Sequence, residues 1–331
     1  MSRTRLLTVV TTLALLFGMQ LPAHALTVSP PVYDYTLNPG DTIRDTIKLH
    51  NESSSSVTIY PELFNFTYTE GDEVNGTPSF YPPNEEKNGH ELAPWIKTNT
   101  SPVTLSPDQR LSLDFTLNVP KTASPGSHFG SIQLRTAPSG TEGGSAVSLI
   151  GGTGILILAR VSGNVNDTLD VGQFSGDKSV YTHLPVDLHI RLENKGNTHL
   201  RPTGNVFIQN MFGKQVASIQ VNADFRSILP GSARRFESRW SKHTVHDTDS
   251  EFSKEWRNFA FGKYTALMAL NYGSANAMKQ VGGSYTFWVF PWQVILVLLV
   301  GLAVLLAIFV VIMKYYNRAV IRAYENKQKK Q

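Results

Sequence analysis

The densest run of potential metal ligands in the chain is His243-Thr244-Val245-His246-Asp247, with Asp249 and Glu251 close behind. Imidazole and carboxylate together suit a catalytic zinc, but no helical i, i+4 pair of histidines fixes the geometry. A polar loop between two strands accounts for the run equally well. Glu85, Glu86 and Glu91 offer the paired carboxylates of glycoside cleavage, a chemistry that needs a cleft and one raised pKa, which a solvated loop does not supply. Trp95, in Pro94-Trp95-Ile96, follows that cluster either as a core anchor at a strand start or as a stacking platform for sugar rings. Trp95, Glu85 and Glu86 are therefore the candidate binding residues, and no catalytic, cofactor or metal residue is assigned. Gly151-Gly152-Thr153-Gly154 matches a phosphate loop only in its glycines. It lacks the following Lys and Ser/Thr and a helix behind it, so it reads as a kink within a strand.

The elements that must position these residues are bracketed by two apolar segments. Arg3 and Arg5, an apolar run from Leu6 to Leu21 and Ala23-His24-Ala25 form the three-part pattern of a signal peptide over 1–25. Near the other end, Val294 to Met313 carries no charge and is broken only by Gly301. Such a run, at about 1.5 Å per residue, matches a hydrocarbon core of roughly 30 Å. The expected single-pass membrane segment is 288–313, with Trp288 and Trp292 on one side of the apolar run and Tyr315 and Tyr316 on the other, where amphipathic rings favour the headgroups. The tail, 314–331, holds Lys314, Arg318, Arg322, Lys327, Lys329 and Lys330 against Glu325. The positive-inside rule keeps it cytoplasmic and the body outside.

Charge follows the same partition. Of thirty Lys and Arg, two lie in the leader and six in the tail, while twenty-five of twenty-six acids lie in the body. The pI near 9.1 thus belongs to the ends. A nucleic-acid partner is excluded, because the surplus of basic residues sits where a membrane uses it. The absence of cysteine removes disulfides, thiolate metal sites and Cys nucleophiles. A body of about 260 residues is large enough to hold its fold by core burial alone.

Between Leu26 and Phe287 helical periodicity is almost absent, and short Val/Ile/Thr/Leu/Phe runs alternate between Pro, Gly, Asn and Ser clusters, as in antiparallel sandwiches. In the strand Arg110 to Val119, Leu111, Leu113, Phe115, Leu117 and Val119 alternate with polar residues. The polar excursion from Thr69 to Asn99 predicts a short hairpin at Asn75-Gly76. Ala146 to Val161 ends a first round, and a linker near Gly163 to Thr168 leads into a second. Two Pro-containing turns, Leu105-Ser106-Pro107-Asp108 and Ile228-Leu229-Pro230-Gly231, precede equivalent strands. The expectation is all-β: two tandem immunoglobulin-like β-sandwiches, 26–164 and 165–287, then one transmembrane α-helix.

Leu26-Thr27-Val28-Ser29-Pro30-Pro31, Leu37-Asn38-Pro39-Gly40-Asp41 and Leu49-His50-Asn51 resemble the opening of the WxL-interacting proteins, membrane-anchored surface proteins of Gram-positive bacteria. Ser124-Pro125-Gly126 to Phe129-Gly130, Asn194-Lys195-Gly196-Asn197-Thr198-His199 and Phe261-Gly262-Lys263-Tyr264 continue the resemblance across nearly the whole chain. It implies a first domain that contacts peptidoglycan and a second that engages a protein carrying the WxL module. The expected role is a non-enzymatic, membrane-anchored protein binding a secreted or surface protein, peptidoglycan or both. The alternatives are a metal-dependent envelope enzyme using His243, His246 and Asp247, and a chaperone-like strand-binding module, since the Pro-rich start is also similar to that of pilus chaperones.

Overall fold

A computed structural model describes residues 26–69, 71–136, 152–246, 248–274 and 277–328, with 322–328 by backbone alone. The expected leader, Gly151, Asp247, Lys329 and Lys330 lie outside the described residues. So do the side chains of Arg322 and Lys327. The chain divides into two compact units, the first comprising the residues up to Asp167 with Gly196–His199 and Leu229–Gly231, the second the remainder.

The strands of the first unit are β1 (Leu26–Ser29), β2 (Val32–Leu37), β3 (Thr42–Asn51), β4 (Val57–Tyr68), β5 (Pro78–Tyr81), β6 (Ile96–Thr98), β7 (Val103–Leu105), β8 (Arg110–Asn118), β9 (Gly126–Arg135) and β10 (Gly152–Val161). One sheet runs β1-β3-β8-β6 and the other β2-β10-β9-β4-β5, with β7 also on β4. Period-two alternation places Leu113, Phe115 and Leu117 of β8 in the core with Ile47, Leu49, Ile132, Leu134, Ile155 and Ile157. Each such side chain contributes about 1.5–3 kcal/mol by leaving water. Strand β9 is buried on both faces. Its outer face is covered by the excursion that follows β5, where the N–H of Phe129 donates to the His90 carbonyl at 2.7 Å.

The second unit contains β11 (Leu169–Gly176), β12 (Val180–Tyr181), β13 (Val186–Asn194), β14 (Thr203–Asn210), β15 (Gln215–Val221), β16 (Ala233–Trp240), helix α1 (Glu251–Arg257), β17 (Gly262–Ser274), β18 (Ala277–Val289) and helix α2 (Trp292–Gln328). Its sheets run β11-β13-β16 and β12-β18-β17-β14-β15. Both units are sandwiches of antiparallel strands that include one parallel pair, β2 with β10 and β12 with β18.

Each unit also closes its β3 or β13 strand with a buried asparagine. Asn51 Nδ2 donates to the carbonyls of Leu105 (3.1 Å) and Ser106 (3.0 Å), and Asn194 Nδ2 donates to that of Ile228 (2.9 Å). Their backbone N–H groups donate to Gln109 and Ser232. Asp108 (φ 58°) and Gly231 (φ 69°) stand at the same step of the two Pro-containing turns.

Strands β2, β6, β12 and β18 stand where no strand was expected, and the polar His243 run is the expected loop, followed by helix α1 with Ser250 as its cap and Glu251 as its first residue. The Asn75-Gly76 hairpin is present, with β4 paired to β5 and Gly76 at φ 59°. The C-terminal helix starts later than the expected segment 288–313, since Trp288 belongs to β18 and the helix begins at Trp292. The helix runs unbroken beyond Met313, so Lys314 and Arg318 of the expected tail are helical. Within Trp292–Ile321 an 18-residue window has mean hydropathy 3.5 and no buried residue, so the helix is long and apolar enough to cross a membrane.

Candidate functional site

A groove in the first unit gathers two of the predicted binding residues. It encloses about 710 Å³ between the excursion and the β8–β9 turn, and Glu86, Glu91, Pro94, Trp95 and His128 line it. The Trp95 indole is half-buried, and its ring lies 4.4 Å from that of His128, inclined by 45°. It thus serves partly as the expected core anchor, packing against the sandwich, and partly as a wall. Glu85 does not line the groove and pairs with Lys87 at 3.3 Å.

The residue that builds this wall escaped the sequence reading. Asn65, fully buried on β4, accepts the backbone N–H groups of Leu92 (3.1 Å) and Ala93 (2.8 Å), at the start of the 3₁₀ turn Ala93–Trp95. Gly130 of β9 allows the turn to approach, because a Cβ there would meet Ala93 N and Leu92 Cβ at 3.1 Å. Glu91 Oε1 accepts the N–H groups of Lys87 (2.7 Å) and Asn88 (3.1 Å). Burial opposes its charge, but these donors outweigh burial and hold its pKa below the usual carboxylate value. It is a loop anchor rather than a proton donor. Burial lowers the pKa of His128, whose Nε2 lies 3.0 Å from the Ser124 carbonyl.

A Ser-His-Asp set also occurs in the first unit. Ser127 Oγ lies 2.7 Å from His199 Nδ1, and His199 Nε2 is 3.1 Å from Asp34. The serine is fully buried and its oxygen already accepts the His199 N–H at 2.8 Å. This set ties chain segments together, with the serine closed to substrate.

The His243 cluster does not converge. His243 and His246 donate backbone N–H groups to Asn258 and Asp249, while Asp249 pairs with Arg257 and Glu251 with Lys254. Among the described residues no three His, Asp or Glu groups stand ready for a metal ion. Gly152 and Gly154 lie in β10, a strand and not a phosphate loop.

The second unit presents a different feature, an open sheet edge. On the side away from β17, β12 reaches only Trp288 and Val289 of β18. There Trp288 N donates to the Ser179 carbonyl (2.9 Å) and Phe290 N to that of Tyr181 (2.7 Å). The β17–β18 register has no shift from Gly262↔Val289 to Ser274↔Ala277. Alternation therefore turns the N–H and C=O groups of Met278, Gln280, Gly282, Ser284 and Thr286 outward as well. None of the five has a backbone partner on that side among the described residues. The other edge of the sheet, β15, is interrupted by a register shift at Ile208/Gln209.

No family model matches the chain, and no curated protein matches it by sequence. Solved structures similar to it include the class 5 fimbriae chaperone CfaA, at 11% identity and TM-score 0.37 over 78% of this chain and 98% of that one. The chaperone YadV is similar at 10% identity and TM-score 0.35, covering 79% and 99%. The E. coli chaperone DraB is similar at 12% identity and TM-score 0.33, covering 78% and 96%.

Proposed function

We propose that this chain is a membrane-tethered, non-enzymatic binding protein whose second unit takes up an extended segment of a protein partner as an added strand along β18. The outward amides and carbonyls from Met278 to Thr286 carry this reading. Main-chain hydrogen bonds at such an edge supply affinity, and alternate side chains supply selectivity. The outward positions are uncharged, whereas β16 guards its edge with Arg235, Glu237 and Arg239. The body stands outside the membrane, with α2 as its tether and Lys314 and Arg318 on the inner side. The resemblance to WxL-interacting proteins gives the partner class, a surface protein carrying a WxL module. A photo-crosslinking residue at Ser284 in the native host tests this: it is expected to capture one dominant surface protein that the same residue at Asp224 does not. Equal capture at both positions contradicts it.

A second reading, compatible with the first, is favoured by the Trp95–His128 pair. Aromatic faces beside carboxylates and prolines suit a glycan strand, so the groove is the place for peptidoglycan contact. Trp95→Ala is expected to weaken sedimentation of the protein with isolated peptidoglycan. Unchanged sedimentation removes this reading and leaves the first untouched.

A further inference from the structure

We infer that the end of the second unit from which α2 departs is a membrane foot, an aromatic and basic surface that rests in the headgroup layer of the bilayer α2 enters. The inference rests on the reading of α2 as a membrane span. The turn after β14, the start of β17 and the finish of β18 meet at this end, because Asn210 pairs with Tyr264 and Gly262 with Val289. There the chain exposes Phe212 (84%), Trp256 (59%), Phe252, Phe261, Phe290 and Trp292. Phe252 stacks on Trp256 at 6.1 Å, and Phe261 contacts Phe290 at 6.1 Å. Met211 lies over Gly262, where a Cβ would fall 1.8 Å from its Cε. At the opposite end of the unit, Phe225 is the one exposed aromatic among the described residues.

Two observations select a bilayer as the occupant. The first is continuity: Phe290 and Trp292 flank the entry into α2, so the same patch runs directly into the apolar helix. Glu255 of α1 fixes this arrangement by accepting the backbone N–H groups of Gln293 and Val294. The second is charge, since Lys214, Lys242 and Lys263 are exposed among the aromatics, while the acids Asp249 and Glu251 there are paired with Arg257 and Lys254. Basic side chains interleaved with amphipathic rings match an anionic headgroup layer. A helix already in the bilayer holds this surface beside it at high effective concentration.

The chain has no cysteine, so single labels report without background. The full chain is reconstituted in phosphatidylcholine–phosphatidylglycerol bilayers, with nitroxide labels on Phe212→Cys, Trp256→Cys, Asp224→Cys and Leu305→Cys. Collision with oxygen and with a water-soluble nickel complex gives the depth of each. The expected result is Leu305 deep in the bilayer, Phe212 and Trp256 shielded from nickel at headgroup depth, and Asp224 fully aqueous. Leu305 deep with Phe212 and Trp256 as aqueous as Asp224 overturns the foot alone. An aqueous Leu305 overturns the membrane reading and the foot with it. Since Phe212 is an exposed turn residue, its result stands even if the Trp256 variant is destabilised.

Discussion

Glu255 and Val294 meet at 3.1 Å, and the same carboxylate oxygen accepts the N–H of Gln293 at 2.9 Å. Glu255 is only 1% exposed. The first N–H groups of a helix have no partner within it, and a carboxylate there is favoured by the helix dipole. A seven-residue helix with little packing of its own thereby becomes the clamp between the second sandwich and α2.

Replacing that carboxylate tests the clamp. Glu255→Ala orphans two buried donors and is expected to cost about 1–3 kcal/mol. The loss should appear as a lower unfolding midpoint of the detergent-solubilised chain. Glu255→Gln, which keeps an acceptor, should lose less. Equal midpoints for all three proteins contradict the clamp.

Asn65 makes the corresponding prediction for the groove. Asn65→Ala leaves the N–H groups of Leu92 and Ala93 without their acceptor, at a cost of about 1–3 kcal/mol. The 3₁₀ turn should loosen and the Trp95 emission shift to longer wavelength. The shift should vanish in the Asn65→Ala, Trp95→Phe double variant.

Acid should weaken the first unit in two stages. Burial lowers the His128 pKa, so below the unfolded value of about 6.5 the unfolded chain takes up the extra proton first and stability falls with pH. Burial opposes the charge of Glu91, but its N–H donors hold the pKa down. Its contribution is complete above the unfolded value of about 4.3 and is lost as pH falls through the folded one. Urea midpoints measured against pH should decline below about 6.5 and again below about 4.3. His128→Asn should flatten the upper stage only.

The β18 edge predicts an alternation. Ser284→Pro removes an outward N–H and spares the β17 ladder, so partner binding should drop while the unfolding midpoint holds. Tyr285→Pro breaks the ladder itself and should lower both. Equal effects of the two substitutions on folding contradict the assigned register.

Legibility in the sequence followed the range of the interactions. Leu111 to Val119 revealed β8 because the strand is wet on one face, and the paired Pro turns revealed two related units because Asp108 and Gly231 each need an uncommon backbone conformation locally. Strand β18 was hidden, because Gly282 and Gly283 at its centre interrupt any alternation of apolar residues, and pairing with β17 makes it a strand. Helix α1 is too short for periodicity to show. Trp95 and Glu86 were readable as candidates from their types. Asn65 and His128 were not, since their roles arise from segments that meet only in the fold. Trp256 is exposed while its neighbour Glu255, about 100° further round α1, is buried against the start of α2.

The most direct test of the central claim is residue-resolved amide hydrogen exchange on the full chain, alone and bound to the partner captured through Ser284. The account predicts slowed exchange at Gln280, Gly282, Ser284 and Thr286, with the intervening amides, already paired to β17, unchanged. Protection confined to β15 or to the Trp95 groove, with β18 unaltered, would contradict it.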